Sequence, residues 1–368
     1  MPEVSQNPRP TGAARATVAL IVCCTVVFVA AFIVALARAE SLDIWALARY
    51  LVLFEDLELL EAWGALTPAN IWIDGQWWRL ASAGFLHGSW LHLGLNMLAM
   101  WSVGRWTESI WGPWRQLALF MASSLGGCLA SVAWAESPLV VGASAGIFGI
   151  AGGLLVARLW GSESVQRELE VISTRRLAGS LGFWILVGFG LPLVGVNILA
   201  QAGHVGGLVV GMLVAGLFTL ELETLKQRLV AGALSLGLVG GAAACTWMAA
   251  EPSGRDNYHL FLAFEHLDRG EPELAVPHFE ELPEDDPVIN NAAAYAMAEA
   301  RVELDRALEL VNLALEEDPD NADYLDTLGW IECGLGRIED GRASLERSKA
   351  AASREIPEID EHLAACVE

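Results

Sequence analysis

The sequence predicts an all-α protein in two parts: a polytopic bundle of membrane helices, then a soluble helical-repeat domain. Three observations carry this. Seven apolar stretches reach roughly the ~20 residues needed to cross a bilayer. Charge is segregated: residues from Glu251 onward hold 30 of the 45 Asp and Glu but only 9 of the 22 Lys and Arg, so −21 of the net −23 lies there. The acidic tail also carries internal self-similarity at a period near ~34 residues.

The apolar stretches run over about 16–37, 88–104, 114–134, 139–159, 178–198, 200–220 and 229–250. Their Gly and Ala content suits helices that approach closely in lipid. The first follows Arg9 and Arg15 and ends in Ala37-Arg38-Ala39, which also suits a signal-peptidase site. Its apolar run is longer than a usual signal core and favours a retained helix. Basic residues gather at the N-terminus and after the second, fourth and sixth stretches, as Arg105, Arg115, Arg158, Arg167, Arg175, Arg176, Lys226 and Arg228. Alternating spans put all of these on one side, which the positive-inside rule makes cytoplasmic. The segment Ser41–Leu86 then lies outside. Its Glu55, Asp56, Glu58 and Glu61, with Trp72, Trp77 and Trp78, suit a loop at the membrane interface. Seven spans place the tail outside as well. The expected divisions are a cytoplasmic tail over 1–14, a membrane core over 15–225, an additional span over 226–250 and repeats over 251–368.

A strongly acidic tail repels nucleic acid, and no basic patch suits that partner. None of the six cysteines forms a CxxC pair or a zinc spacing, so no metal or other cofactor is expected. Cys333 and Cys366 could pair in an oxidising compartment.

Polar side chains inside spans are costly and mark candidate sites. His92 and Asn96 sit four apart, on one helix face. Ser144 lies in Gly142-Ala143-Ser144-Ala145-Gly146, and His204 in Gly203-His204-Val205-Gly206-Gly207. Singly these read as packing residues or an interhelical clamp. Together they are a nucleophile, a general base and amide donors for an oxyanion, the parts that acyl transfer needs. Ser144 sits about six residues after Pro138, near ~9 Å into a continuous helix, and His204 enters its span from the same side. With no carboxylate at hand, a Ser144–His204 dyad is the economical arrangement. The oxyanion would rest on Asn96, His92 and the Ser144 N–H.

These residues resemble the rhomboid family of intramembrane serine proteases over roughly 15–220. Trp78-Arg79 resembles the family's first-loop motif. His87, His92-x-x-x-Asn96, Gly104 and Glu108 follow, then Ser144 in the Gly-x-Ser position and His204-x-x-Gly207-x-x-x-Gly211. The resemblance covers a six-span core, which leaves the seventh apolar stretch as one extra span, and no cofactor is expected. It also implies substrates that are membrane-anchored proteins, cut in or near their transmembrane segments, in a multi-pass inner or plasma membrane protein of bacterial type. Two positions depart from the family: Ala145 replaces a Gly after the nucleophile, and Phe148 replaces a Tyr that packs on the base. Gly188, Gly190 and Pro192 suit a lateral gate, with Val194–Leu199 as a cap, although a closed structural role for that span fits equally.

In the tail, Ala322, Leu325, Leu328, Gly329, Gly336 and Leu345 form the clearest repeat copy. Ala294, Ala298, Ala307, Ala314 and Pro319 form a second, and Gly270, Ala275, Phe279 and Pro287 a weaker one. They resemble the tetratricopeptide repeat, which implies a stacked solenoid that takes a protein or peptide ligand. An unrelated helical bundle is the alternative. A non-catalytic scaffold and a transporter are the rival functions; no HExxH supports a metalloprotease.

Overall fold

The computed structural model describes residues 14–38, 57–134, 139–190, 201–220, 223–250 and 256–367. Every regular element among them is helical, apart from one isolated antiparallel bridge between Leu66 and Val140. The chain divides into two compact units, Met1–Glu251 and Pro252–Glu368.

In the first unit, α1 (Arg15–Arg38) begins against a buried carboxylate. Glu108 accepts the N–H of Ala16 at 2.9 Å and of Thr17 at 3.0 Å, and the Thr17 hydroxyl at 2.9 Å. Gln116 donates to the same hydroxyl at 2.8 Å. A negative group there satisfies orphan donors and opposes the positive end of the helix dipole. Short helices α2 (Leu57–Ala62), α3 (Pro68–Trp72) and α4 (Arg79–Ser82) follow in the loop. Arg79, buried, holds that loop together by donating to the carbonyl of Ala65 at 2.7 Å and to Gln76 at 2.7 Å.

The second and third predicted spans form α5 (Trp90–Trp134), broken where Gly112 takes φ 78° ahead of Pro113. A Cβ on Gly104 would lie 2.9 Å from Gln116 Nε2. Twelve helical residues would otherwise separate these positions by ~18 Å, so the chain reverses at the break. The fourth predicted span is corrected at its start: α6 (Ser144–Trp160) begins at the serine, not at 139. Residues before it are held extended, because Val140 exchanges hydrogen bonds with Leu66 and Gly142 donates to the Ala83 carbonyl at 2.9 Å. Positive φ at Gly142, +122°, makes the turn into the helix. Beyond Trp160 the chain bends by 115° into α7 (Glu163–Glu168) and a 3₁₀ turn.

Then come α8 (Thr174–Gly190), α9 (Gln201–Thr219) and α10 (Leu225–Ala250). Gly188 and Gly190 belong to α8; Pro192 and Val194–Leu199 lie outside the described residues, as do Ser41–Asp56, Arg9 and Pro138. Four described helices have the length and apolarity to cross a membrane, or five if the bent α6–α7 pair is one span. Counting the halves of α5 separately adds one more.

The second unit consists of helical hairpins: α11 (Asp256–Asp268) with α12 (Pro272–Phe279), α13 (Pro287–Ala300) with α14 (Leu304–Glu317), and α15 (Ala322–Gly334) with α16 (Ile338–Ala351). A final helix, α17 (Pro357–Ala365), follows. Starts are written in the sequence. Asp286 caps the N–H of Val288 at 2.8 Å with Pro287 as first helical residue, and Asn321 caps Asp323 at 3.0 Å. Within the third hairpin, Gly329 meets Gly341 across the pair, a Cβ there lying 2.7 Å from its carbonyl. The core is small and apolar, built on Ala294, Met297, Ala307, Val311 and Ile331.

Candidate functional site in the membrane body

The crossing of α6 and α9 sets the site. A Cβ on Gly207 would lie 2.3 Å from the Ala145 carbonyl oxygen, and one on Gly211 would lie 2.2 Å from Gly149 Cα. No side chain fits at either place, so the two backbones touch. Ser144 and His204 stand on this seam, one step before Ala145 and one turn before Gly207. Their separation follows: His204 Nε2 lies 2.8 Å from Ser144 Oγ, a hydrogen bond.

Phe148, one turn after Ser144, stacks on the imidazole with ring centroids 4.7 Å apart and planes at 17°. His204 is buried. Phe148 therefore covers one face of the ring without contributing a hydroxyl.

Gly142 is where His92 enters. A Cβ on Gly142 would lie 2.8 Å from His92 Nε2 and 3.7 Å from Ser144 Oγ. Glycine is required there twice, for the positive φ and for the space. The His92 backbone N–H is capped by the Ser89 hydroxyl at 3.0 Å, and His87 lies edge-on to the His92 ring at 5.2 Å. Asn96 is buried and donates one amide hydrogen to the His92 carbonyl at 3.1 Å. Its other amide hydrogen is free of that bond by valence.

The methyl of Ala145 faces Gly127 on the second half of α5, where a Cβ would lie 2.6 Å from it. Gly127 and Gly149 are packing residues that sequence patterning did not single out, though Ala145-x-x-x-Gly149 is a small-xxx-small pair that signals such a seam. Among the described residues no group of three or more His, Cys, Asp or Glu could hold a metal.

Comparison with known proteins bears on this body. Residues 74–221 match the Rhomboid domain. Rhomboid protease GluP of Bacillus subtilis (strain 168) is 30% identical over 281 residues, covering 73% of this chain and 51% of GluP. Rhomboid protease GlpG of Serratia proteamaculans (strain 568) is 32% identical over 143 residues, covering 38% of this chain and 48% of GlpG. RHOMBOID-like protein 4 of Arabidopsis thaliana is 30% identical over 156 residues, covering 42% of this chain and 37% of that protein. The chain spans about half or less of the length of these relatives. The matches support the rhomboid family, and the apolar helices support a multi-pass integral membrane protein. The rhomboid match contains every residue of the Ser144–His204 seam and the whole of α5 and α6.

Proposed function

We propose that this chain is an intramembrane serine endopeptidase that cuts membrane-anchored proteins in or near their transmembrane segments. The observation that carries the reading is the 2.8 Å contact between His204 Nε2 and Ser144 Oγ inside an apolar helix bundle. A buried hydroxyl and imidazole in direct contact are a nucleophile with its base. Neutral His204, protonated on Nδ1, accepts the Ser144 proton as Oγ attacks the peptide carbonyl, then returns it to the leaving amine.

Ser144 is the first residue of α6, so its own N–H belongs to the helical turn that lacks intrahelical acceptors. That N–H, the helix dipole behind it, the second amide hydrogen of Asn96 and His92 form the proposed oxyanion site. Phe148 holds the imidazole plane. The proton transfers need no carboxylate, metal or other cofactor.

For the tail, the reading is a tetratricopeptide-like repeat domain that takes a protein or peptide ligand on the extracytoplasmic side. The repeat spacing, the hairpins and a Cys333–Cys366 disulfide support it, since disulfides persist outside reducing compartments. Protease shaving of spheroplasts should remove the tail; protection until the membrane is broken would place it inside.

The test of the site is labelling of the purified protein by a fluorophosphonate probe, beside cleavage of a transmembrane reporter. Wild type should label and cleave; Ser144→Ala should do neither. Asn96→Ala should label yet turn over ~10² more slowly, the cost of one oxyanion donor. Cleavage that survives in Ser144→Ala ends the proposal, and a protein that never labels favours a non-catalytic scaffold.

A further inference from the structure

The last membrane helix is poorly packed in a patterned way. On α10 only Ala249 is buried. At its outer end, Trp72 Nε1 donates to the Ala249 carbonyl at 2.6 Å, and Ala249 joins a cluster with Leu66, Ile71, Cys128 and Val132. At its inner end, Leu234 reaches Gly216 of α9, within 2.9 Å of a Cβ placed there. Between those contacts Leu238 and Cys245 reach the body, but beside them the helix leaves a gap: a Cβ on Gly237 or Gly241, which line it, would meet nothing within 4 Å. The other two walls do close on each other: Gly206 of α9 meets Ala130 of α5, and Gly126 meets Val210. The result is a cavity of about 420 Å³ between α5, α9 and α10, held open by the fixed ends of α10.

Its lining is apolar, from Trp134, Ala202 and Cys245 at one end to Gly126, Leu213 and Gly237 at the other. Its apolar lining offers water no hydrogen-bond partner, and it is open on one side, where Val209 is half exposed. Its length is set by Ala202 to Leu213, about 16 Å of helix, close to half of the ~30 Å hydrocarbon core. At about 30 Å³ for a water-sized group, its volume takes about fourteen chain carbons. Length, volume and chemistry therefore match one acyl chain from one leaflet. Trp134, half exposed at the mouth, suits the headgroup boundary.

We infer that this cavity binds a single lipid acyl chain, wedged behind the helix that carries His204. Ala202, Val205 and Gly206 face the cavity, whereas Gly207 faces the Ser144 helix. The chain thus braces α9 from the side opposite the dyad. This rests on the membrane embedding of the chain and is independent of any proteolytic activity.

The test uses the full chain in nanodiscs of phosphatidylcholine with a diazirine at mid-chain, followed by mass-spectrometric mapping of cross-links. Cavity positions such as Val209 and Cys245 should label at least threefold more than Val18, Val22 and Val26, which face bulk lipid on α1. Gly241→Leu and Gly237→Leu fill the cavity where a side chain meets no neighbour, so each should abolish the excess. Gly232→Leu, on the same helix and outside the cavity, should leave it intact. Melting of each variant in detergent checks the fold; two filling variants keep the test alive should one misfold. Equal labelling of cavity and α1 positions, an excess that survives both fillings, or cross-links to a copurified polypeptide instead of lipid would each overturn the inference.

Discussion

The two units of this chain are held together by different physics. In the membrane body the decisive contacts are absences of side chain: Gly207 against the Ala145 carbonyl, Gly211 against Gly149, Gly127 against the Ala145 methyl. Lipid supplies no hydrophobic drive between helices, so close backbone packing and a few buried polar bonds, such as Glu108 on the start of α1, decide the arrangement. The tail folds by burying an apolar face from water, with capped helix starts, surface ion pairs and one disulfide added. Glycine is used both ways in each unit, as a contact at Gly207 and Gly329 and as a turn at positive φ at Gly142 and Gly336, but only in the body do the contacts set the candidate site. The comparison teaches that function should be fragile where backbones touch and tolerant where side chains merely decorate.

The largest effect should come from the pair that sits on the seam. His204→Ala should lower cleavage of a transmembrane reporter by at least ~10³, because nucleophile and base act as one unit. A tail-only perturbation should not approach this. Residual cleavage above about one part in a hundred would break the assignment of the dyad.

Next is packing itself. Gly207→Leu forces a side chain into the Ala145 backbone, and overpacking of that kind costs ~3 kcal/mol or more. Gly179→Ala, where a Cβ meets nothing within 4 Å, should be neutral or slightly stabilising. Melting in detergent by intrinsic fluorescence separates them. Equal melting of the two variants would show that the seam is not where stability lies.

How much of this was legible beforehand divides along the same line. Ser144, His204, His92 and Asn96 stood out because polar groups in apolar spans are conspicuous. The hairpins stood out because small residues recur at a period of ~34 residues. The break at Gly112 was legible only as a turn between two apolar runs. The start of α6 was misplaced, since Val140 is as apolar as any spanning residue and only its pairing with Leu66 makes it extended. Ala145 stood out in sequence as a departure from the family and is matched by Gly127, eighteen positions upstream on another helix. Such complementarity is tertiary and leaves no local pattern. The standoff of α10 was equally hidden, because its composition reads as an ordinary span.

In the tail, the disulfide should matter more than any surface pair. Cys333 and Cys366 join α15 to the residue after α17, across a separation of 33 residues with Cα atoms 5.5 Å apart. A loop of that size is worth about 3–4 kcal/mol through the unfolded state. Cys333→Ser should lower the stability of the tail to urea by this order while reporter cleavage stays within about twofold of wild type, each unit being judged by its own readout. A matching loss of cleavage would break the independence of the two units.

The smallest effect separates the two ends of the tail by pH. His362 is pulled down by burial, but its hydrogen bonds to Asp326 at 3.0 Å and the charges of Asp326, Glu358 and Glu299 outweigh this and raise its pKa. A raised folded value means that the His362–Asp326 contact stabilises fully below the unfolded value of ~6.5 and is lost as pH rises through the folded pKa. His278 is the reverse. Burial lowers its pKa first, and the neighbouring His259 and His266 lower it further. His259 Nδ1 lies 3.1 Å from His278 Nδ1, so one ring must be neutral to accept. Its contribution is present above ~6.5 and falls away as pH drops toward the depressed value. Tail stability should therefore peak between the two regimes, with the third hairpin and α17 limiting on the alkaline side and the first hairpin on the acid side. Asp326→Asn should flatten the alkaline limb alone, and His278→Gln should weaken the acid limb alone above the range where carboxylates titrate. Thermal melts from pH 5 to 9 read both limbs. An alkaline limb unchanged in Asp326→Asn would show that the buried pair at α17 contributes nothing to stability.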